Sequence, residues 1–530
     1  MTNFMSEKIT KYTIFTSLLL VFSIIVIFLY SSSVKSNGGH FVYPLDDTYI
    51  HLSVARNWAE HGVPGINPSE FSFLSSSPLW TSLLSAFAAV GIDVEMLPFY
   101  LNFIISLILI FYLTNLFYDK IKNKFILFFL ILILIFSASL LLFTFIGLEH
   151  LLHAFLLLLF FIEISKLQSK NSESSVFLIY FLAFILPLVR YESLFAIFAA
   201  AVWFAKSKDY TKAILILILA AMSVSIVGLF SIIYGGTFLP SSLILKGEFL
   251  SQTGLYEILK SLLWHPIKKL IHAPALAVLL ALSASFLYHA KKQNFKNEFQ
   301  PLLFIFILTT VLHLLFAQIG WLYRYEAYLV LIGLVINLLY FIKLISFKQI
   351  EINKTIIGLS LLLLLSLGLR AYNTNTTIIR ASTNIYQQQY QTAKFLSHFY
   401  AGKKIAVNDI GLVSWMGNVY VYDLWGLATP EILSLKRQNK INGKVLDKLM
   451  VKNGVHIAAI YKEWFEFQDG FYKNWYEAGS WTIKNNYICG STEVSFFAKD
   501  STHLVKLEKN LLDYSSYLPK GVIQKLNIRN

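Results

Sequence analysis

Long apolar segments recur along the first 371 of the 530 residues in this chain. A helix needs about 20 mostly apolar residues to cross a bilayer, and it satisfies its own backbone hydrogen bonds there. Only 14% of the residues are charged, whereas a soluble protein has about 25%. The sequence therefore predicts a polytopic α-helical membrane protein with about 11 transmembrane helices. The predicted spans lie near residues 13–30, 97–118, 125–146, 150–165, 176–190, 193–205, 213–234, 271–288, 301–319, 325–342 and 355–371.

Two apolar segments allow a second interpretation. Residues 13–30 follow Lys8 and Lys11, as the core of a signal peptide would. The run is long for that role and no clean cleavage site follows it, so we expect an uncleaved first span. Residues 78–92, PLWTSLLSAFAAVGI, are expected to form an interfacial, re-entrant or half-spanning helix. Counting them as spanning would raise the number of helices to 12 or 13.

Lysine residues cluster in every second connection between the predicted spans. With a cytoplasmic N-terminus and a non-crossing segment 78–92, all of these clusters lie on the cytoplasmic side, as the positive-inside rule requires. They explain most of the basic balance of the chain, which has a net charge of +14. We therefore expect contact with anionic membrane lipids and no nucleic-acid partner. The clusters consist of Lys8, Lys11, Lys120, Lys122, Lys124, Lys166, Lys170, Lys206, Lys208, Lys212, Lys291, Lys292, Lys296, Lys343, Lys348 and Lys354.

The same topology divides the chain into a transmembrane domain, 1–371, and an extracytoplasmic domain, 372–530. In the second, helical patterns alternate with short β-branched runs, which predicts a C-terminal α/β domain. KKIAVNDIG and NVYVYDLWGL are predicted strands, and VLDKLMVKNGVHIAAIYKEW is a predicted helix followed by a strand. We interpret Asp409 and Asp423 as turn residues and Cys489, the single cysteine, as a buried side chain.

Charged side chains are rare in this chain, and several occur at the predicted outer ends of the spans. Charges at membrane depth are costly and are usually functional or paired. Because these residues come from distant parts of the sequence but share one side of the membrane, we expect them to converge. An interfacial charge facing headgroups and water is the alternative for each residue alone. The set comprises Asp46, Asp47, His51, Glu149, His150, Arg190, Glu192, Arg324 and Glu326.

The adjacent acids Asp46 and Asp47 begin the segment DDTYIHL, in the first outer loop, 31–96. One carboxylate would act as a general base, while the other would orient the loop or hold a metal ion. A divalent cation bound by both would be Mg²⁺, Mn²⁺ or Ca²⁺, which prefer oxygen ligands. An N-cap for the helix that begins near Thr48 is the structural alternative. We expect Asp46 to be the base and Asp47 to be the cap.

Two arginines each precede Tyr-Glu, in RYES at 190–193 and RYEAY at 324–328. Arginine grips phosphate in bidentate geometry, so Arg190 and Arg324 are candidate phosphate ligands, together with Lys246. A structural Arg–Glu pair, such as Arg190 with Glu149, is an equal alternative. His40, His61, His153, His265 and His272 show no metal-ligand spacing.

These segments resemble the C-type glycosyltransferase superfamily, whose members transfer sugars from lipid phosphates. DDTYIHLSVARNWAEHG is similar to the acid-bearing first outer loop of that superfamily, including the helical stretch with Arg56. IGLEHLL, PLVRYESL, YGGTFLPSSLILKG and IAVNDIGLVSWMGNVYVYDLWGLATPEIL look most like a bacterial branch. That branch includes arabinofuranosyltransferases that use a polyprenyl-phosphate-arabinose. RYES and GLEH depart from the Arg-Pro-Glu and Gly-Leu-Glu-Thr frequent in relatives.

The resemblance implies an enzyme of the bacterial inner membrane with its site on the periplasmic side. It implies inverting transfer of a sugar from a polyprenyl-monophosphate donor to a hydroxyl of a glycan, lipid or protein acceptor. Asp46 or Asp47 would take the acceptor proton, with a divalent cation as one possible aid. The donor phosphate and substrate would be bound by His51, Arg56, Glu149, His150, Arg190, Glu192, Lys246, Arg324 and Tyr325.

Two other classes of function compete with an enzyme. A transporter or flippase of a polyprenyl-linked substrate would need charges along a continuous path and helices broken at the membrane midplane. The predicted span interiors are instead mostly Leu, Ile and Phe, and the charges lie on one side. A non-catalytic scaffold for envelope assembly is the third class, and the intact acid pair argues against it.

Overall fold

The fold was obtained as a computed structural model that describes residues 2–167, 175–246, 255–292, 299–346, 354–466 and 470–527. Helices dominate the first 400 residues, as the apolar segments predict. They are α1 Thr2–Ser36, α2 Asp47–His61, α3 Pro78–Ala89, α4 Leu97–Tyr118, α5 Lys124–Ser137, α6 Leu140–Ile146, α7 His150–Leu167, α8 Val176–Val189, α9 Ser193–Lys206, α10 Tyr210–Ile233, α11 Ser241–Lys246, α12 Leu255–His272, α13 Pro274–Lys292, α14 Phe299–Phe316, α15 Ala327–Ser346, α16 Lys354–Ile385 and α17 Gln391–Tyr400.

Seven described helices are long and apolar enough to cross a membrane, and two bent pairs raise the number to nine. In the pairs, α5 meets α6 at 43° and α12 meets α13 at 110°. The remaining two predicted spans are α8 and α9, each of 14 residues. Each rises only about 21 Å, less than the roughly 30 Å of a bilayer core. All 11 segments are therefore helical, but the expected number of full-length spans is too high.

The short helix α3 corresponds to the ambiguous segment 78–92. It has 12 residues and begins at Pro78, which suits the first turn of a helix because proline lacks an N–H. Its length of about 18 Å is too short to cross a bilayer. Trp80 and Leu84 are buried, and the helix packs mainly on α2.

The helix α16 connects the apolar bundle to the C-terminal domain without a break. It passes the boundary expected after residue 371 and continues through a π-helical turn, Tyr386–Tyr390, into α17. The polar residues that follow 371 therefore extend an existing helix, and the sheet begins only at residue 404. Ser382 bonds to Ser33 of α1 at 2.9 Å and accepts from Asn37 at 2.8 Å.

A mixed six-stranded sheet forms the C-terminal domain, in the order β2-β1-β3-β5-β4-β6. Strands β1, β2 and β3 are parallel, and β5, β4 and β6 are joined antiparallel. The three predicted strands are confirmed as the first three. The strands are β1 Lys404–Val407, β2 Tyr420–Asp423, β3 Ile457–Ile460, β4 Tyr476–Ile483, β5 Glu493–Ala498 and β6 Val522–Leu526.

Four helices accompany this sheet. Strand side chains alternate between its two faces, so Ile405 and Val407 pack with the core that continues into the bundle, whereas Ala406 packs with a separate apolar cluster on the other face. The sheet is thus covered on both faces, as the parallel part requires. The helices are α18 Gly411–Met416, α19 Pro430–Arg437, α20 Gly443–Lys452 and α21 Ser501–Tyr514.

Candidate functional site

A cavity of about 310 Å³ lies where the helix ends of the bundle meet the C-terminal domain. Its walls come from α2, from the turns before α7, α9 and α15, and from the loops that follow β1 and β2. Seven of the nine residues that were expected to converge thus line one space. Eight of the predicted site residues line it: Asp46, Asp47, His51, Glu149, His150, Arg190, Arg324 and Tyr325.

Asp46 joins the first loop to the C-terminal domain. Its carboxylate accepts hydrogen bonds from the backbone N–H groups of Gly411 at 2.6 Å and Leu412 at 2.8 Å. Burial raises the pKa of Asp46 well above its ordinary value, and the neighbouring Asp409 carboxyl raises it further. Asp46 also occupies the N-cap position of α2, but its side chain makes no capping bond. The prediction that Asp47 is the N-cap is therefore wrong, since Asp47 is the first residue of the helix itself.

Asp47 is the accessible member of the acid pair. Its side chain is 41% exposed and forms an ion pair with Arg324, which is buried apart from 6%. Arg324 also donates to the hydroxyl of Tyr325 at 3.0 Å. Among the described residues, no acceptor reaches its Nε–H group. Asp47 and Arg324 thus line the same cavity as an ion pair.

Arg190 is held by two carboxylates. Its Nη1 donates to Glu149 at 2.6 Å and approaches Nε2 of His150 at 3.1 Å. Glu192 accepts from its Nε at 3.2 Å and from its Nη2 at 2.5 Å. This cluster links α7 to the turn between α8 and α9, as the structural Arg–Glu alternative proposed. Of the two arginines, Arg324 is therefore the more available for an external anion.

His51 lines the cavity as a neutral hydrogen-bonding group. Its Nδ1 lies 2.7 Å from the hydroxyl of Thr81, which also bonds to Ser75 at 2.8 Å. Burial lowers the pKa of His51, which favours the uncharged imidazole. It can therefore orient a polar ligand without adding charge.

Two predicted site residues whose side chains are described, Arg56 and Glu192, do not line the cavity. The guanidinium of Arg56 lies 4.3 Å from the ring centroid of Trp415 and donates to the carbonyl of Ser414 at 3.4 Å. It holds α2 against α18, an interface that Ser53 extends with a 2.8 Å bond to Ser414. Glu192 lies behind Arg190. The side chain of Lys246 lies outside the described residues.

The C-terminal domain contributes a part of the cavity that was not predicted from the sequence. Asp409, interpreted as a turn residue, lines the cavity beside Asp46 and accepts from Gln389 at 2.7 Å and from the hydroxyl of Tyr461 at 2.8 Å. Trp425 and Trp464, with ring centroids 4.7 Å apart, form an aromatic wall. Asp423 is confirmed as a turn residue, since it accepts from two backbone N–H groups of the loop after β2.

A second, apolar cavity of about 190 Å³ lies beside the first and shares Val54 and Ser75 with it. Its walls are formed by aromatic and aliphatic side chains of α2, of the loop before α3 and of α10, a candidate membrane span. Polar and apolar cavities thus meet at α2. The α10 residues are Ile226, Val227 and Phe230.

The acid pair does not form a ready metal site. Asp46 receives two backbone N–H donors and Asp47 pairs with Arg324, so a cation bound by both carboxylates would compete with these partners. Among the described residues, His456, Asp500 and His503 are the one group of three or more candidate ligands whose atoms lie within 4.8 Å of one another. We therefore derive no chemical step through a metal ion at the acid pair.

Comparison with known families gives one result for the C-terminal domain. Residues 383–497 match a family model described as a domain of unknown function, DUF8728. The matched region extends from the end of α16 to β5. It includes Gln389 and Asp409, which line the cavity, and Tyr461, whose hydroxyl donates to Asp409. No curated protein matches this chain.

Proposed function

We propose that this chain is an integral-membrane glycosyltransferase of the C type. It moves a sugar from a polyprenyl-monophosphate donor to a hydroxyl of a cell-envelope glycan, lipid or protein, with inversion at the anomeric carbon. The observation that carries the proposal is the ion pair of Asp47 and Arg324 in the wall of one cavity. The adjoining apolar cavity beside α10 supports a donor that is carried on a lipid.

The ion pair between Asp47 and Arg324 suggests how the base becomes active. The donor phosphate takes the guanidinium, which binds phosphate oxygens in a fork. Asp47 then loses its counter-charge and becomes a stronger base. It accepts the proton of the acceptor hydroxyl while that oxygen forms a bond to the anomeric carbon and the bond to phosphate breaks. Arg324 remains on the leaving phosphate, where negative charge develops.

Asp46 has a positioning role in this proposal. Its carboxylate binds the N–H groups of Gly411 and Leu412 and so keeps the loop that carries Asp47 at the cavity. The lysine pattern supports a cytoplasmic N-terminus and a periplasmic C-terminal domain in a bacterial inner membrane. The loop and the cavity then face the side on which envelope polymers are assembled.

The test uses purified protein in nanodiscs with a panel of polyprenyl-phosphate sugars and envelope acceptors. Asp47→Asn should lower the rate of transfer by about 100-fold or more, the usual contribution of a general base. Asp46→Asn should lower it less and should loosen the domain contact. Wild-type rates in both variants would refute the proposal. Movement of the intact donor across the bilayer, without transfer of its sugar, would instead support the alternative that the protein is a transporter or flippase.

A further inference from the structure

Three side chains with metal-binding atoms meet at the ends of the two central strands, β3 and β5, of the C-terminal sheet. Nδ1 of His503 lies 2.8 Å from both carboxylate oxygens of Asp500, and Nδ1 of His456 lies 4.0 Å from Oδ2 of the same carboxylate. The two imidazole rings are parallel, with an interplanar angle of 2° and centroids 4.5 Å apart. The Asp500 carboxylate thus lies within 4.0 Å of both histidines.

Regular secondary structure holds all three residues in place. His456 directly precedes β3, and its carbonyl accepts from the N–H of Lys499, directly after β5, at 3.0 Å. Asp500 is the N-cap of α21 and accepts from the backbone N–H of His503 at 3.0 Å. A site built on strand ends and the first turn of a helix is held more closely than one on a free loop.

The ligand set suits zinc. Two imidazoles and a carboxylate are typical zinc ligands, whereas Mg²⁺ and Ca²⁺ select oxygen. Ligand atoms about 2.1 Å from a tetrahedral zinc ion lie about 3.4 Å apart. The observed separations of 2.8 Å and 4.0 Å from Asp500 lie on either side of this value. The two imidazole rings, which are parallel without the ion, must rotate about their side-chain bonds so that both nitrogens point at it.

We propose that His456, Asp500 and His503 bind one zinc ion, with water as the fourth ligand. The ion then fastens α21 to the ends of the central strands β3 and β5. The site lies before the first residue of β3, whereas the cavity lies beyond the last residue of the parallel strand β1. The two sites therefore occupy opposite ends of the parallel strands. The zinc site neither depends on the proposed sugar transfer nor takes part in it.

The experiment measures zinc binding by the full chain in nanodiscs, after removal of any polyhistidine tag and of bound metal by a chelator. Competition with a chromophoric zinc indicator should give one equivalent bound with micromolar or tighter affinity. His456→Ala and His503→Ala should each weaken binding at least tenfold. Asp500→Asn should also weaken it, although asparagine still caps α21.

The matched control is His398→Ala, which removes an exposed histidine of α17 in the same part of the chain. This variant should bind zinc as the wild type does. Zinc should also raise the unfolding temperature of the wild type and of the control, but not that of His456→Ala. The proposal is overturned if the wild type binds no zinc, or if the three ligand variants retain full affinity.

Discussion

Gly411→Ala tests whether Asp46 couples the first loop to the C-terminal domain. A Cβ atom at residue 411 would lie 2.0 Å from the carbonyl oxygen of Asp46 and 2.6 Å from its Oδ2. An ordinary contact begins at 3.4 Å, so the two backbones must separate by about 1.4 Å. The clash involves the backbone oxygen, which a side-chain rotation cannot relieve.

This separation breaks the two bonds that the Asp46 carboxylate accepts from Gly411 and Leu412. The raised pKa of Asp46 favours its neutral form, and hydrogen bonds between neutral groups contribute about 0.5–1.5 kcal/mol each. The contact between the loop and the domain should therefore lose about 1–3 kcal/mol. Because each 1.4 kcal/mol is a tenfold change in an equilibrium constant, local opening at Leu412 should become at least about fivefold more frequent.

Hydrogen–deuterium exchange in nanodiscs measures this opening directly. The amides of residues 411 and 412 should exchange at least about fivefold faster in Gly411→Ala, while β3 and β5 keep their protection. Gly358→Ala is the control, because nothing lies within 4 Å of its added Cβ on an exposed part of α16. Unchanged exchange at Leu412 in the Gly411 variant would show that Asp46 does not hold the domain in this way.

Two further predictions concern charge at the cavity. Because the pKa of Asp46 is raised in the folded protein, its contribution to the free energy of unfolding is complete at pH values below the ordinary carboxyl pKa. This contribution is lost as the pH rises through the raised pKa. The unfolding temperature of the wild type should show this loss, and that of Asp46→Asn should depend less on pH. Arg324→Lys removes the Nε donor and the fork, so transfer should fall about 10- to 100-fold with a higher KM for the donor. Arg380→Lys, at an exposed residue of α16, should retain wild-type kinetics, and equal kinetics in both variants would contradict the role of Arg324.

The helices of the bundle could be predicted from the sequence because their signal is local. Each apolar segment carries its own hydrophobicity, and all eleven are helical. Span lengths were less predictable. The turn between α8 and α9 contains Arg190 and Glu192, and Arg190 is also bound by Glu149, about 40 residues away in the chain. The π-helical turn after α16 has no clear sequence signal either.

The cavity could be predicted only on its membrane side. Charged residues in an apolar chain are conspicuous, so eight of its lining residues were expected. Asp409 and Tyr461 lie in a polar domain where acids and tyrosines are common, and their role follows from contacts across more than 300 residues, such as Asp46 with Gly411. The contact of Arg56 with Trp415 could not be predicted for the same reason, since the two residues are about equally distant in the chain.

The continuous helix from α16 to α17 determines how the C-terminal domain is rotated, about the helix axis, relative to the bundle. Each residue of an α-helix adds about 100° of rotation and 1.5 Å of height. One inserted residue would therefore turn Asp409 and the tryptophan wall away from Asp46, however conservative its side chain. Seven inserted residues would nearly restore the orientation but would lift the domain by about 10 Å. The two halves of the cavity thus meet only because this helix has the right number of residues, a constraint on length and not on residue type.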